Sequence, residues 1–430
     1  MSMNTDMKNN HRVLKLGTGL ALSIFIQASH GASLMEIYKL AIGNDPQYLA
    51  AKANLAAAQE TLPQSMANFL PTLTANATHT ENSASEGKDG YSVKFNQPIY
   101  RHGSFVERRR SKSAVSQAES DFSSSEQSLT LAVAQSYFGV LSAQDGVDFA
   151  EAEKRANARQ LDQTKQRFDV GLVAITDVHE SRAAHDISVA EEIAAKNDLD
   201  SAKESLREIT GSYHQQLDSL DEDIPLFPPD PANLEEWTEL ALQENTALKA
   251  AQEITIQARE NVDTQKSDHY PTLGLIIDHT NTTAGAVETD NTTAIVNLSL
   301  NLYRGGSTSA KTRQAREFLK ASRQSLEQIR RSTQAQVRNA YRGVISGISR
   351  VRALKQAMIS SQSALRAAEA GYEVGTRTTV DVLVGRKNLF RAQRDYAQAR
   401  YNYLIDKLTL YQSAGTLRAD HLKEITQWMH

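Results

Sequence analysis

The sequence predicts a mixed fold, in which a membrane β-barrel continues into a long α-helical coiled-coil barrel and each chain holds two structural repeats. Three observations lead to this fold class. The chain repeats itself, its longest segments are helical and free of proline, and two pairs of alternating strands interrupt them. Over 430 residues only 6% are aromatic and 40% are hydrophobic, too few large apolar side chains for several compact cores.

The first 31 residues are predicted to be a signal peptide for export. Basic residues precede an apolar run at 16–26, and small residues follow it up to Ala32. The run is about half as long as the roughly 20 residues that span a bilayer. No later stretch is long and apolar enough for a membrane helix, so insertion is expected to use β-strands.

Charge and motif content argue against several classes of protein. The 47 Lys and Arg residues are balanced by 51 Asp and Glu, unlike a nucleic-acid-binding surface. The chain has no cysteine, no Gly-x-Ser-x-Gly, no phosphate-binding glycine loop and no His-Glu-x-x-His, so no catalytic, cofactor or metal site is expected. His179 and His185 lie six apart on a predicted helix and do not share a face.

An internal repeat covers almost the whole predicted mature chain. Its offset is 200 residues near the start (271 − 71 = 200) and 204 further on (375 − 171 = 204). Three blocks illustrate the register: 34–41 with 234–241, 71–73 with 271–273, and 168–171 with 372–375. The predicted organisation is a first repeat at 32–210, a proline-rich connector at 211–233, a second repeat at 234–414 and a tail at 415–430.

Each repeat is expected to begin with a helix and a strand pair. The opening helices, 33–68 and 234–268, should end near Pro71 and Pro271, because proline disfavours helix in the residue before it. Strands of about ten residues are predicted after them, with polar loops at 81–88 and 284–291. Segments 72–78 and 297–302 alternate in polarity, as expected of a half-buried strand or of a barrel wall between lipid and water. Four strands cannot enclose a water-filled lumen, so a barrel would have to be shared between chains.

Two long helices should follow each strand pair. Segments 104–168 and 307–371 contain no proline, and return helices are predicted at 174–209 and 378–413. The first long helix carries a seam at alternating spacings of three and four, typical of a coiled coil. Its members are Val115, Ala118, Phe122, Ser125, Leu129, Ala132, Ser136, Gly139 and Ala143. Small seam residues suit a thin-walled barrel of helices, and a solid coiled-coil stalk is the alternative.

Residues 163–182, 371–383 and 399–405 resemble the two periplasmic hairpin turns and the last helix of the TolC family. The resemblance covers about 33–420. It implies a homotrimer with one twelve-stranded barrel in the outer-membrane lipid of a Gram-negative cell and a helical tunnel in the periplasm. Such a duct is recruited by a periplasmic adaptor protein and an inner-membrane efflux or ABC transporter, for efflux of small compounds or type I protein secretion. The rival hypothesis is a trimeric coiled-coil adhesin anchored by a barrel.

The resemblance also implies a closed entrance at the hairpin turns, held by links between neighbouring hairpins. The matching gate residues are Gln166, Thr176, Asp177, Tyr372 and Arg377. An arginine offers a two-pronged contact to a carboxylate, which can hold the entrance and still be exchanged.

An acidic ring in the pore is the second implied site. By the resemblance to the TolC family, two aspartates three residues apart are expected to face the pore. Here Asp381 matches the first, whereas Val384 stands at the second. Glu180 is the repeat equivalent of Val384 (384 − 204 = 180), so it is a candidate for restoring the lost charge, with a solvated helix residue as the alternative.

Overall fold

The computed structural model describes residues 31–83, 85–214 and 216–430, so the predicted signal peptide lies outside the described residues except for Gly31. The elements of the first half are α1 (Leu34–Asn44), α2 (Pro46–Gln59), α3 (Thr61–Ala67), β1 (Thr72–Asn82), β2 (Ser85–Arg101), α4 (His102–Asp169) and α5 (Ile175–Thr210). Those of the second half are α6 (Leu234–Glu244), α7 (Thr246–Lys266), β3 (Thr272–Ala284), β4 (Val287–Ser299), α8 (Ser307–Glu373) and α9 (Thr379–Ala414). A short helix, α10 (Ala419–Thr426), follows in the tail.

The opening helix of each half is interrupted, which corrects the prediction of single helices at 33–68 and 234–268. Asp45 ends α1 and caps α2, where its carboxylate accepts the Tyr48 N–H at 2.7 Å. Asn245 does the same between α6 and α7 and accepts the Leu248 N–H at 3.0 Å. Both side chains satisfy an N–H that a helix start leaves free. The two breaks lie at equivalent positions (245 − 45 = 200).

The four strands form one antiparallel sheet in the order β1-β2-β3-β4. They run to 11, 17, 13 and 13 residues, longer than the predicted ten. The predicted loops 81–88 and 284–291 are mostly strand, because their polar residues continue the ladder up to tight turns. β4 ends at Ser299, short of the predicted 302.

The two faces of the sheet differ in polarity. Residues directly opposite in the register share a face, so Leu73, Phe95 and Ile277 stand together. We call this the apolar face; its members include Leu73, Tyr91, Val93, Phe95, Tyr100, Leu273, Ile277, Val296 and Leu298. Toward the turns this face becomes polar, and the Nδ1 atom of His79 lies 2.6 Å from the Oδ1 atom of Asp89 there. The opposite face is mainly polar, with residues such as Thr74, Asn76, Ser92, Lys94 and Asn291.

The long helices are confirmed close to their predicted ends. α4 has 68 residues and α8 has 67, so each is about 100 Å long. Each turns back through a short loop into a return helix of 36 residues. We call the part of the molecule that contains the return helices the lower region. There α5 packs on α4, α4 on α9, and α9 on α8. The helices therefore form a layer in the order α5-α4-α9-α8. In the described part of the chain, no helix is both long and apolar enough to cross a membrane.

Of the nine predicted seam residues, only Leu129 is buried within the chain. Larger side chains on α4 form the buried face instead, with Tyr137 and Phe138 at 0 and 1% exposure. Bulky aromatic side chains bury more apolar area than the small seam residues do, which explains why the core centres on them.

The main core lies midway along the molecule, where the connector 211–233 crosses the helices. Trp237 and Tyr403 are buried there. The Trp237 indole N–H donates to the Pro231 carbonyl at 2.7 Å, and the Tyr403 hydroxyl donates to the Phe227 carbonyl at 3.0 Å. Side chains from the helices thus donate hydrogen bonds to backbone carbonyls of the connector, which has no regular secondary structure of its own among its described residues.

Candidate functional site at the hairpin tips

The two hairpin tips are built alike. Gly171 and Gly375 have φ of 75° and 80°, a left-handed conformation that glycine adopts without strain. After each glycine the chain bonds back to the helix: the Leu172 N–H donates to the Arg167 carbonyl, and the Thr376 N–H to the Gly371 carbonyl, each at 2.8 Å. These bonds close the ends of α4 and α8. The tips therefore hold the return helices in a defined direction.

An aspartate stabilises the start of each return helix. Asp177 accepts the Ala174 N–H at 3.1 Å. Asp381 accepts the Thr378 N–H at 2.8 Å and the Thr378 hydroxyl at 2.9 Å. These bonds from Thr378, with a smaller contribution from Arg377, hold the pKa of the Asp381 carboxyl below its ordinary value. Asp381 is therefore ionised at neutral pH and has a structural role besides the one predicted for it.

Among the predicted gate residues, Tyr372 makes a ring contact with the other hairpin in the described part of the chain. Its ring lies under the Arg167 guanidinium, whose Cζ is 4.7 Å from the ring centroid. Gln166 donates to Asp162 on its own helix at 3.0 Å, and Thr176 is exposed. Arg377 lies 3.7 Å from Asp381, within its own hairpin. The contacts of the described residues thus do not join these five side chains into one cluster within the chain.

The structure shows links between hairpins that the sequence did not reveal. Arg386 on α9 donates to the Ala156 carbonyl of α4 at 3.1 Å and lies 3.3 Å from the Glu369 carboxylate of α8. Its side chain is only 12% exposed. Together with Arg167 over Tyr372, it joins the first hairpin to the second near the tips. No local pattern signals Arg386, because its backbone partner lies 230 residues away.

The candidates for the acidic ring lie on different hairpins. Asp381 is in the first turn of α9, and Glu180 is exposed on α5. Glu180 makes no hydrogen bond or ion pair within the described part of the chain. Val384 is 51% exposed. Both candidates therefore lie near the hairpin tips, in the first two turns of their return helices.

Comparisons with known proteins agree with this architecture. The profile of the outer membrane efflux protein family matches residues 37–212 and 237–416. The chain is 37% identical to the outer membrane protein TolC of Vibrio cholerae, over 96% of this chain and 98% of the relative. It is 34% identical to TolC of Escherichia coli K12, over 96% of this chain and 88% of the relative. The alkaline protease secretion protein AprF of Pseudomonas aeruginosa is 28% identical over 93% of this chain and 88% of the relative.

Solved structures show the same fold. The Campylobacter jejuni outer membrane channel CmeC superposes with a TM-score of 0.77 at 15% identity, covering 98% of both chains. The outer membrane protein VceC of Vibrio cholerae gives a TM-score of 0.75 at 17% identity, covering 89% of this chain and 96% of that chain. With both halves matched by the family profile and nearly the full length matched by TolC sequences, this chain belongs to the TolC family of outer membrane efflux proteins.

Proposed function

We propose that the protein is an export duct of the outer membrane, recruited by a periplasmic adaptor and an inner-membrane transporter. The observation that carries the proposal is a sheet with one apolar face, continuous with helices about 100 Å long. Efflux of small compounds and type I protein secretion both remain within this function. Relatives include TolC proteins as well as proteins named for protease secretion. An adhesin would need no duplicated helical hairpins.

The sheet supports assembly into a twelve-stranded barrel of three chains. β1 and β4 have one neighbour each within the chain, so each leaves a row of backbone groups to be paired. In lipid every such group needs a partner, and pairing β4 of one copy with β1 of the next supplies it. The apolar face would then meet lipid, and the polar face would line the lumen.

The helical layer also supports a closed assembly of three chains. Its flanking helices in the lower region are α5 and α8, so α8 of one copy can pack on α5 of the next. The repeats 32–210 and 234–414 would then alternate around a tunnel, six hairpins in all for three chains. Such head-to-tail contacts close into a ring when the rotation between copies permits it.

The entrance is proposed to close at the hairpin tips through Gln166, Thr176, Asp177, Tyr372 and Arg377, with Asp381 and Glu180 as candidates for a ring of negative charge. The single-chain contacts support this placement: all seven lie in or near the tips, and the aspartates are ordered by helix capping. Links between chains that involve exposed groups contribute little to folding and can be exchanged.

Ion conductance of the purified protein in a planar lipid bilayer tests the function. We expect discrete channels and a trimer on chemical crosslinking. Arg377→Ser should raise the conductance with little change in the melting temperature, because its ion pair with Asp381 is exposed and such pairs contribute little to stability. A protein that inserts without conducting, or that crosslinks only to dimers, would contradict the proposal.

A further inference from the structure

The first turns of α4 carry a row of aromatic and basic side chains just after the chain leaves the sheet. Phe105, Arg108, Arg109 and Lys112 stand at i, i+3, i+4 and i+7, positions that share one face of a helix. All four are exposed, Phe105 by 46%. We call these four residues the α4 stripe.

The α4 stripe lies on the same side of the molecule as the apolar face. The Phe105 ring is 6.3 Å from the ring of Tyr100, which stands opposite Leu273 of that face. Phe69 packs edge-on against Phe105, with ring centroids 4.9 Å apart. Lys112 lies seven residues beyond Phe105, so it is about 10 Å further from the sheet. The positive charges therefore begin where the apolar face ends.

Two of the three charges of the α4 stripe have no ion-pair partner among the described residues. Among the residues that the structure describes, Arg108 and Lys112 make no ion pair, whereas Arg109 lies 2.8 Å from Glu260 of α7. The nearby Glu107 pairs with Arg110 at 3.3 Å, away from the stripe. Arg108 and Lys112 are thus exposed and available to an anionic partner outside the chain.

We propose that the α4 stripe binds the anionic phospholipid headgroups at the membrane surface on the helical side of the sheet. The inference rests on the proposed function, which places the apolar face in the membrane. Aromatic side chains such as Phe105 favour the boundary between acyl chains and headgroups. Basic side chains one or two turns further are attracted to lipid phosphates. In the proposed trimer three stripes would form a collar that fixes the depth of the channel.

The test uses the full-length protein, purified in neutral detergent and titrated with dioctanoyl phosphatidylglycerol, with dioctanoyl phosphatidylcholine for comparison. We expect Arg108→Gln/Lys112→Gln to bind phosphatidylglycerol roughly 30-fold more weakly than the wild type at low salt. The matched control is Arg342→Gln/Arg352→Gln, which removes two exposed basic side chains of α8 that make no ion pair in the described part of the chain. The control should bind as the wild type does.

Equal binding by the stripe variant and the wild type would overturn the inference, as would an equal loss in the control. A wild type with no preference for phosphatidylglycerol over phosphatidylcholine would overturn it too. Inorganic phosphate that displaces the lipid at equal concentration would show a free-anion site instead of a membrane contact. Conductance of the same preparations is read separately: a wild type that conducts but does not distinguish the lipids refutes the stripe alone, whereas loss of conductance refutes the channel.

Discussion

Buried polar side chains near the middle of the molecule join elements that are distant in the chain. The Tyr401 hydroxyl of α9 donates to the Asp145 carboxylate of α4 at 2.8 Å. The Arg400 guanidinium donates to the Asp221 carbonyl of the connector at 2.8 Å, and its side chain is buried. Burial raises the pKa of the Asp145 carboxyl, although Tyr401 and Arg400 oppose that shift. Desolvation therefore outweighs the attraction in this cluster.

We predict that Asp145→Asn stabilises the protein at neutral pH and loses that advantage in acid. Because the folded-state pKa of Asp145 is raised above the ordinary 3.8, the folded state holds the proton more tightly than the unfolded state does. Wild-type stability must then fall as the pH rises from about 3.8 through the folded-state pKa, and the asparagine variant lacks this loss. Melting temperatures at pH 4 and pH 7 check it. A variant less stable than the wild type at pH 7 would show that the ionised carboxylate is needed.

A second prediction concerns Arg386, which joins both hairpins of one chain. Arg386→Gln should loosen the tips and raise the channel conductance, because it removes the bonds to Ala156 and Glu369. Arg386→Lys keeps one donor and should restore part of the wild-type value. Arg391→Gln, an exposed change one turn further along α9, is the control. Conductance of Arg386→Gln equal to that of the control would exclude a role at the entrance.

Among the elements, the helices were the easiest to predict from the sequence. Their periodicity extends over many turns, and the glycine breaks at 171 and 375 mark the tips. The strand ends were missed, because Thr, Asn and Ser near the turns look like loop residues although they continue the ladder. Arg386 was missed because its partners, Ala156 and Glu369, lie on two other helices. Such choices depend on three-dimensional neighbours that a local pattern does not contain.

The tip glycines provide a prediction at the element scale. An added Cβ at Gly375 would meet no atom within 4 Å, so Gly375→Ala suffers only from its left-handed backbone. We expect a loss of about 1 kcal/mol in the free energy of unfolding. Gly43→Ala in α1 also meets no atom within 4 Å but lies in a helix, so it should gain about 0.5 kcal/mol. Denaturant unfolding of both variants checks the opposite signs.

At the scale of the whole molecule, one chain exposes apolar side chains on its sheet and at its hairpin tips. Leu298 and Val296 on the apolar face are 68% and 67% exposed, and the β1 and β4 edges lack outer neighbours within the chain. The hairpin tips add Leu172 and Val374 at 73% and 74% exposure. Exposed apolar groups at both ends of an elongated molecule indicate contacts at both ends. The fold therefore agrees with a duct between two partners, lipid at one end and other proteins at the other.

The acidic ring gives a prediction that belongs to the assembled channel. A ring of carboxylates attracts multivalent cations, so a trivalent cation should block the pore. Asp381→Asn should weaken the block, because the pKa of this carboxyl is lowered and the group is charged at neutral pH. Arg377→Ser should strengthen it, since the guanidinium 3.7 Å away offsets part of that charge.

Glu180 decides whether the first repeat contributes to the same ring. If the exposed Glu180 carboxylates replace the charge that Val384 does not carry, Glu180→Gln should weaken the trivalent block further, and Asp381→Asn/Glu180→Gln should nearly abolish it. Asp186→Asn, which removes another exposed carboxylate six residues along α5, is the matched control and should block as the wild type does. The measurement is the concentration for half-block in single-channel recordings. Half-block unchanged in Glu180→Gln would leave Asp381 as the sole source of the ring, and half-block unchanged in Asp381→Asn would remove the ring itself.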